Sequence, residues 1–158
     1  MRAPFFHVGI LVADLSIAIE NFSRVFEVEF NEPAMIRTPL LSNDDRRNYD
    51  MRVSYSRNGP PFLELIEGHD VGYFSLAGGE GVHHIGLWVG DGEVLSDSNR
   101  FRALHIEAAI PHEDTTGTVT RMSSPSMLHG VRLEMVEEGD RVGLEAWIGG
   151  TAGQPRLG

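Results

Sequence analysis

Two histidines and two glutamates recur at matching places in this chain, and together they have the makings of a binding site for one divalent cation. The stretch His7-Val8-Gly9-Ile10-Leu11-Val12-Ala13-Asp14 returns 77 residues later, from 7 to 84, as His84-Ile85-Gly86-Leu87-Trp88-Val89-Gly90-Asp91. Leu63-Glu64-Leu65-Ile66-Glu67 returns 70 residues later, from 64 to 134, as Leu133-Glu134-Met135-Val136-Glu137. Self-similarity of this kind marks a structural unit built twice. Each copy supplies one imidazole early and one carboxylate late. Two carboxylates on a concave, partly apolar face are costly to desolvate. Two carboxylates and a divalent ion sum to zero charge, so His7, Glu64, His84 and Glu134 are expected to bind a metal. The chain has no cysteine, and nitrogen and oxygen donors without thiolate suit Zn, Ni, Co, Mn or Fe alike.

Strands must bring these residues together. Successive strand side chains point to opposite faces. In the four strands concerned one parity is apolar: Val8/Ile10/Val12, Leu63/Leu65, Ile85/Leu87/Val89 and Val131/Leu133/Met135. Those faces call for helices over them. The other parity carries all four candidate ligands, which therefore share a cleft if the two copies face one another. The same parity holds Leu11, Phe62, Trp88 and Arg132, weaker candidates for a substrate pocket. It also selects His84 over His83, which is predicted to point toward the helix side.

Along the chain, residues 5–12 read as a strand and Asp14 as the cap of a helix whose apolar face is Leu15, Ala18, Ile19, Phe22, Val25 and Phe26. Residues 27–50 contain Pro33, Pro39 and a polar cluster at 42–48. They predict a short strand and a long exposed loop, where Arg46 and Arg47 could meet an acidic substrate tail. Strands follow at 51–56 and 61–67, joined by a turn at Asn58-Gly59-Pro60, then a glycine-rich connector. The pattern restarts with a strand at 82–89, a helix near Asp91 carrying Val94, Leu95, Phe101 and Leu104, and strands at 106–111, 116–122 and 130–137. The expected organisation is one domain over 1–138, made of two modules (about 5–77 and 82–138). A C-terminal tail, 139–158, follows, in which Trp147-Ile148 docks.

With 158 residues, a formal charge of −10 and no cysteine, the chain can form a core without disulfides. The charge repels phosphate backbones, which argues against a nucleic-acid partner. No apolar run approaches the roughly 20 residues needed to span a bilayer. A cytoplasmic protein with a small-molecule substrate is expected, either monomeric or a homodimer in which the modules swap.

The motifs His7-Val8-Gly9-Ile10-x-Val-x-Asp14-Leu15 and Gly79-x-Gly81-Val82-His83-His84-Ile85-Gly86, with Glu64 and Glu134 on the late strands, resemble the vicinal oxygen chelate superfamily, in its glyoxalase and methylmalonyl-CoA epimerase-like branch. The resemblance covers about residues 5–138. It implies an α+β fold in which two βαβββ modules pair into a curved, half-open barrel around a metal. The order His, Glu, His, Glu is similar to bacterial glyoxalase I. Epimerases carry Gln where Glu64 stands, and their additional acid–base Glu has no counterpart among residues 51–57. The loop 123–130 departs from the family's Asp-Pro-x-Gly turn. The resemblance implies a metal-dependent lyase or isomerase that abstracts a proton through an enediolate, with Glu134 as base and Glu64 as its counterpart across the site. Two alternatives stay open: an Fe(II) extradiol-type dioxygenase, which would use His7, His84 and Glu134 alone, and a non-catalytic small-molecule binding or resistance protein.

Overall fold

Alternating β-branched and aromatic residues make Phe5–Val12 the first strand, β1. Asp14 then accepts a hydrogen bond from the Ile17 amide, and Glu67 accepts one from the Leu15 amide, both at 2.9 Å. Two otherwise unpaired N–H groups at the start of helix α1, Leu15–Phe26, are thereby satisfied. The structure is a computed structural model that describes residues 5–42, 45–90, 92–93, 100–111 and 119–153. Its further elements are β2 (Ala34–Ser42), β3 (Asp45–Tyr55), β4 (Phe62–Glu67), β5 (Gly81–Val89), β6 (Ile106–Pro111), β7 (Val119–Ser123), β8 (Arg132–Glu137) and helix α2 (Arg141–Ile148).

The eight strands form a ring in the order β1-β4-β3-β2-β6-β7-β8-β5. Each module contributes four neighbouring strands, and in each the first and last run parallel, β1 with β4 and β5 with β8. The modules meet at two seams within one chain. The β1–β5 seam is antiparallel and long, whereas β2 and β6 are paired only at Leu41↔Ala109 and Ser42↔Ala108. The expected half-open barrel is thus joined on its far side by two residue pairs.

The alternation read from the sequence sorts the core into three parts. Ile36, Met51, Val53, Ile66, Trp88 and Val136 belong to the cluster inside the barrel. Outside, Leu65 and Val12 pack against Leu15 and Ala18 of α1. On the other module Met135 and Val89 pack against Phe101, with Leu104 beside them. Burying each such side chain contributes roughly 1.5–3 kcal/mol. The expected second helix falls largely on 94–99, outside the described residues, and 100–103 form turns.

Two stretches differ from expectation. Apart from 43–44, which lie outside the described residues, the polar cluster after Pro39 is strand rather than loop: β2 and β3 pair antiparallel with Leu41↔Arg46, Leu40↔Arg47 and Pro39↔Asn48. Arg46 and Arg47 are exposed strand residues. Proline is tolerated because β2 bonds β6 only at its end, which leaves an edge beside Pro39. The stretch after β8 forms α2, whose Leu144, Trp147 and Ile148 join the cluster inside the barrel. Trp147 stands edge-on to Tyr55, ring centroids 5.6 Å apart. Residues 149–153 are turns and bends, and 154–158 lie outside the described residues. No helix among the described residues is long and apolar enough to cross a membrane.

Candidate metal centre

The repeated His-x-Gly has a steric cause. Across the antiparallel β1–β5 seam His7 stands opposite Gly86, and Gly9 opposite His84. A Cβ built on Gly86 would lie 2.0 Å from the His7 ring, and one on Gly9 would lie 2.1 Å from the His84 ring. Each imidazole therefore lies over the glycine of the other copy. The parallel neighbours complete two rows: Glu64 beside Gly9, and Glu134 beside Gly86. Passing over its glycine, each histidine reaches the glutamate on the far side. His84 Nε2 is 3.0 Å from Glu64 Oε2, and His7 Nε2 is 3.0 Å from Glu134 Oε2.

The two rows also meet each other. The two Nε2 atoms are 2.8 Å apart, and the crossed contacts are 3.3 Å (His7 to Glu64) and 3.5 Å (His84 to Glu134). All four donor atoms lie within 4.8 Å of one another. Ligands about 2.1 Å from a common ion sit about 3.0–3.4 Å from their neighbours, so the spacing fits a single cation.

Hydrogen bonds alone do not explain the cluster. The Tyr73 carbonyl, 3.3 Å from His83 Nε2, can only accept, so that nitrogen carries the hydrogen. His83 is kept neutral: burial first, then the nearby charges of His84 and Arg132, pull its imidazolium down to about 3. Its Nδ1 is therefore bare and accepts from His84 Nδ1 at 3.0 Å. With its Nδ1 hydrogen directed at His83, a neutral His84 would set a bare Nε2 against Glu64 Oε2 at 3.0 Å, and a charged one would set its Nε2–H against His7 Nε2 at 2.8 Å. Either arrangement leaves a repulsive contact, which a cation among the four donors would turn into ligation. The four side chains could hold a divalent ion, and they fit one.

The ionisations agree with this crowding. Burial disfavours the His7 imidazolium, but the Glu134 and Glu64 carboxylates outweigh burial and lift it to about 9. Burial likewise opposes the Glu64 carboxylate, yet His7 and then His84 hold it well below the usual carboxylate range. Tyr55, on β3 directly opposite Glu64, donates its O–H to Glu64 Oε1 at 2.5 Å. Burial and the two glutamates push its phenol well above its ordinary value, so it stays a donor.

Residues 6–103 match the model of the glyoxalase/bleomycin resistance protein/dioxygenase superfamily. The chain belongs to this superfamily. Its fold is similar to that of a Streptomyces coelicolor methylmalonyl-CoA epimerase variant in complex with 2-nitronate-propionyl-CoA (TM-score 0.60, 21% identity, covering 85% of this chain and 96% of that one). It is equally similar to the Mycobacterium tuberculosis methylmalonyl-CoA epimerase (0.61, 20%, 89% and 91%). A hypothetical protein of Bacillus halodurans is a further likeness (0.59, 17%, 87% and 95%). No curated protein matches the sequence.

In this superfamily barrel Glu64, His84 and Glu134 border a cavity of about 640 Å³, its solvent-open part included. Ile36, Met51, Ile66, Ile110 and Val136 form its strand walls, and α2 adds Leu144. The four weaker pocket candidates are not among its lining residues. Leu11, Phe62 and Trp88 are buried in the interior cluster. Trp88 is covered by the stacked ring of Phe6 at 4.0 Å. Arg132 donates to Glu107 Oε1 at 2.6 Å and lies over Tyr73. His83 also departs from expectation. The face it occupies is covered by the aromatic connector rather than a helix, and its ring is buried beside Tyr73 and Phe74. Neither His83 nor Tyr55 was a candidate from sequence. The His83-His84 dipeptide was visible, but its use depends on where the connector's Tyr73 carbonyl falls.

Proposed function

We propose that this protein is a metal-dependent lyase or isomerase that moves a proton on a small substrate with two neighbouring oxygens. The observation that carries this reading is the unequal support of two glutamates around one converging donor set. His7, Glu64, His84 and Glu134 would hold the ion. When bound, a divalent cation there supplies Lewis-acid stabilisation of charge developing on a substrate oxygen.

The chain's own residues divide the remaining work. Tyr55 clamps Glu64 Oε1 and so keeps Oε2 turned to the histidines. The residue opposite Glu134 is Met122, which has no comparable donor. The Glu134 side chain is 16% exposed against 9% for Glu64. Glu134 is thus the carboxylate free to swing away, take the proton from the carbon beside the carbonyl, and return it. The largely apolar walls lower the polarity around the site, and a carboxylate that leaves its cationic neighbours becomes more basic. General acid–base catalysis of this kind supplies about 10²–10⁴-fold.

An extradiol-type dioxygenase would leave Glu64 idle, whereas its Oε2 is among the tightest contacts of the cluster. The test is hydrogen–deuterium exchange by NMR at the α-carbon of an α-hydroxyketone in D₂O, with metal-loaded protein. Glu134→Gln is expected to lose at least about 100-fold in exchange rate. Exchange at the parental rate would remove Glu134 as base.

A further inference from the structure

The walls of this cavity also select a class of substrate. None of the described residues lining it is an arginine, and the chain contains no lysine. Most of the lining is apolar, and its carboxylates are Glu64, Glu134 and Asp140. Three arginines on neighbouring elements are engaged elsewhere, and the exposed Arg37, Arg46 and Arg47 of β2 and β3 are not part of the lining. Arg132 donates to Glu107 at 2.6 Å, Arg141 to Glu145 at 2.9 Å, and Arg121 to Glu137 at 3.4 Å. A divalent ion would balance Glu64 and Glu134, and no lining side chain offers positive charge beyond that. The chain as a whole carries a formal −10. A substrate carboxylate entering here would lose its hydration and meet like charge. A polyphosphate tail would be repelled by the acidic exterior as well.

We infer that the substrate is uncharged and apolar, an α-hydroxyketone or 1,2-dicarbonyl compound with aryl or hydrocarbon substituents. Acyl-CoA thioesters, the class bound in the solved epimerase complex, are then excluded. The two neighbouring oxygens rest on the metal-site reading above; the demand for neutrality rests on the walls alone.

The full chain, metal-free and Co²⁺-loaded, is titrated with benzoin (neutral), phenylglyoxylate (anionic) and methylmalonyl-CoA, with binding read by calorimetry and thermal shift. Benzoin is expected to bind on the order of 100-fold more tightly than either anion. Anions that bind as tightly as benzoin, or benzoin that binds neither form, would overturn the assignment. Failure of Co²⁺ to enter the protein would instead strike the metal reading, and the preference for neutral ligands would still be read on the metal-free chain.

Discussion

In the second module His84 is preceded by His83, whose ring passes a hydrogen bond to the Tyr73 carbonyl. In the first module the equivalent residue is Phe6, packed edge-on against His7 at 4.3 Å, and His7 Nδ1 has no hydrogen-bond partner among the described residues. The glutamates differ in the same way: Tyr55 stands opposite Glu64, and Met122 opposite Glu134. The two supported ligands form one row across Gly9, and the two unsupported ligands form the other across Gly86. The repeat has therefore kept the donors alike while the residues behind them diverged. One half of the candidate ligand set is backed by hydrogen-bonding side chains, and the other by Phe6 and Met122. Partners that orient metal ligands matter nearly as much as the ligands themselves.

The largest expected effects treat both halves alike. Gly9→Ala and Gly86→Ala each put a methyl group into an imidazole, so each should lower Co²⁺ affinity by at least about 100-fold, the upper range for disturbed ligand support. A large loss in one and none in the other would break the two-row geometry. Next, His83→Phe makes the second module copy the first. A drop in Co²⁺ affinity of about 10–100-fold is expected, with partial recovery in His83→Gln, whose amide can both donate to Tyr73 and accept from His84. Equal affinities for the two variants would show that His83 merely fills space.

Tyr55→Phe is expected to cost at the lower end of that range, about tenfold, while Met122→Leu changes affinity less than about twofold. Matching losses would erase the asymmetry between the glutamates. The smallest effect is on pH dependence. His7 is lifted to about 9 from the ordinary 6.5 of an imidazole in the metal-free protein. Its stabilising contribution is thus fully present below about 6.5 and disappears as pH rises through 9. The metal-free melting temperature should fall by a few degrees over that window. The Co²⁺-loaded protein should lack this component, because its ligand is already deprotonated. A flat metal-free profile would remove the raised imidazolium from the picture.

The quartet was legible because it needed only strand parity and a repeat. His7, Glu64, His84 and Glu134 fall on one face by counting in twos, and the barrel interior follows from the same count. What supports the quartet was hidden by distance along the chain. Tyr55 matters through a register, Tyr55↔Glu64, that no local pattern announces. His83 matters through the position of the connector, and its burial there overrode the helix-side expectation. Leu11, Phe62 and Trp88 belong to the interior cluster but do not line the cavity beside the quartet. The β2–β3 hairpin was masked by Pro39 and a polar run that lies on a strand edge. Helix α2 has only eight residues, too few for its periodicity to stand out from a glycine-rich stretch, and Leu144, Trp147 and Ile148 show their purpose only against the barrel.

The most direct measurement is titration of the metal-free full chain with Co²⁺, followed by calorimetry and visible absorption. One equivalent should bind per chain, and His84→Ala should abolish it without unfolding the protein by circular dichroism. No uptake, or uptake unchanged in the folded His84→Ala variant, would contradict a metal held by two imidazoles and two carboxylates.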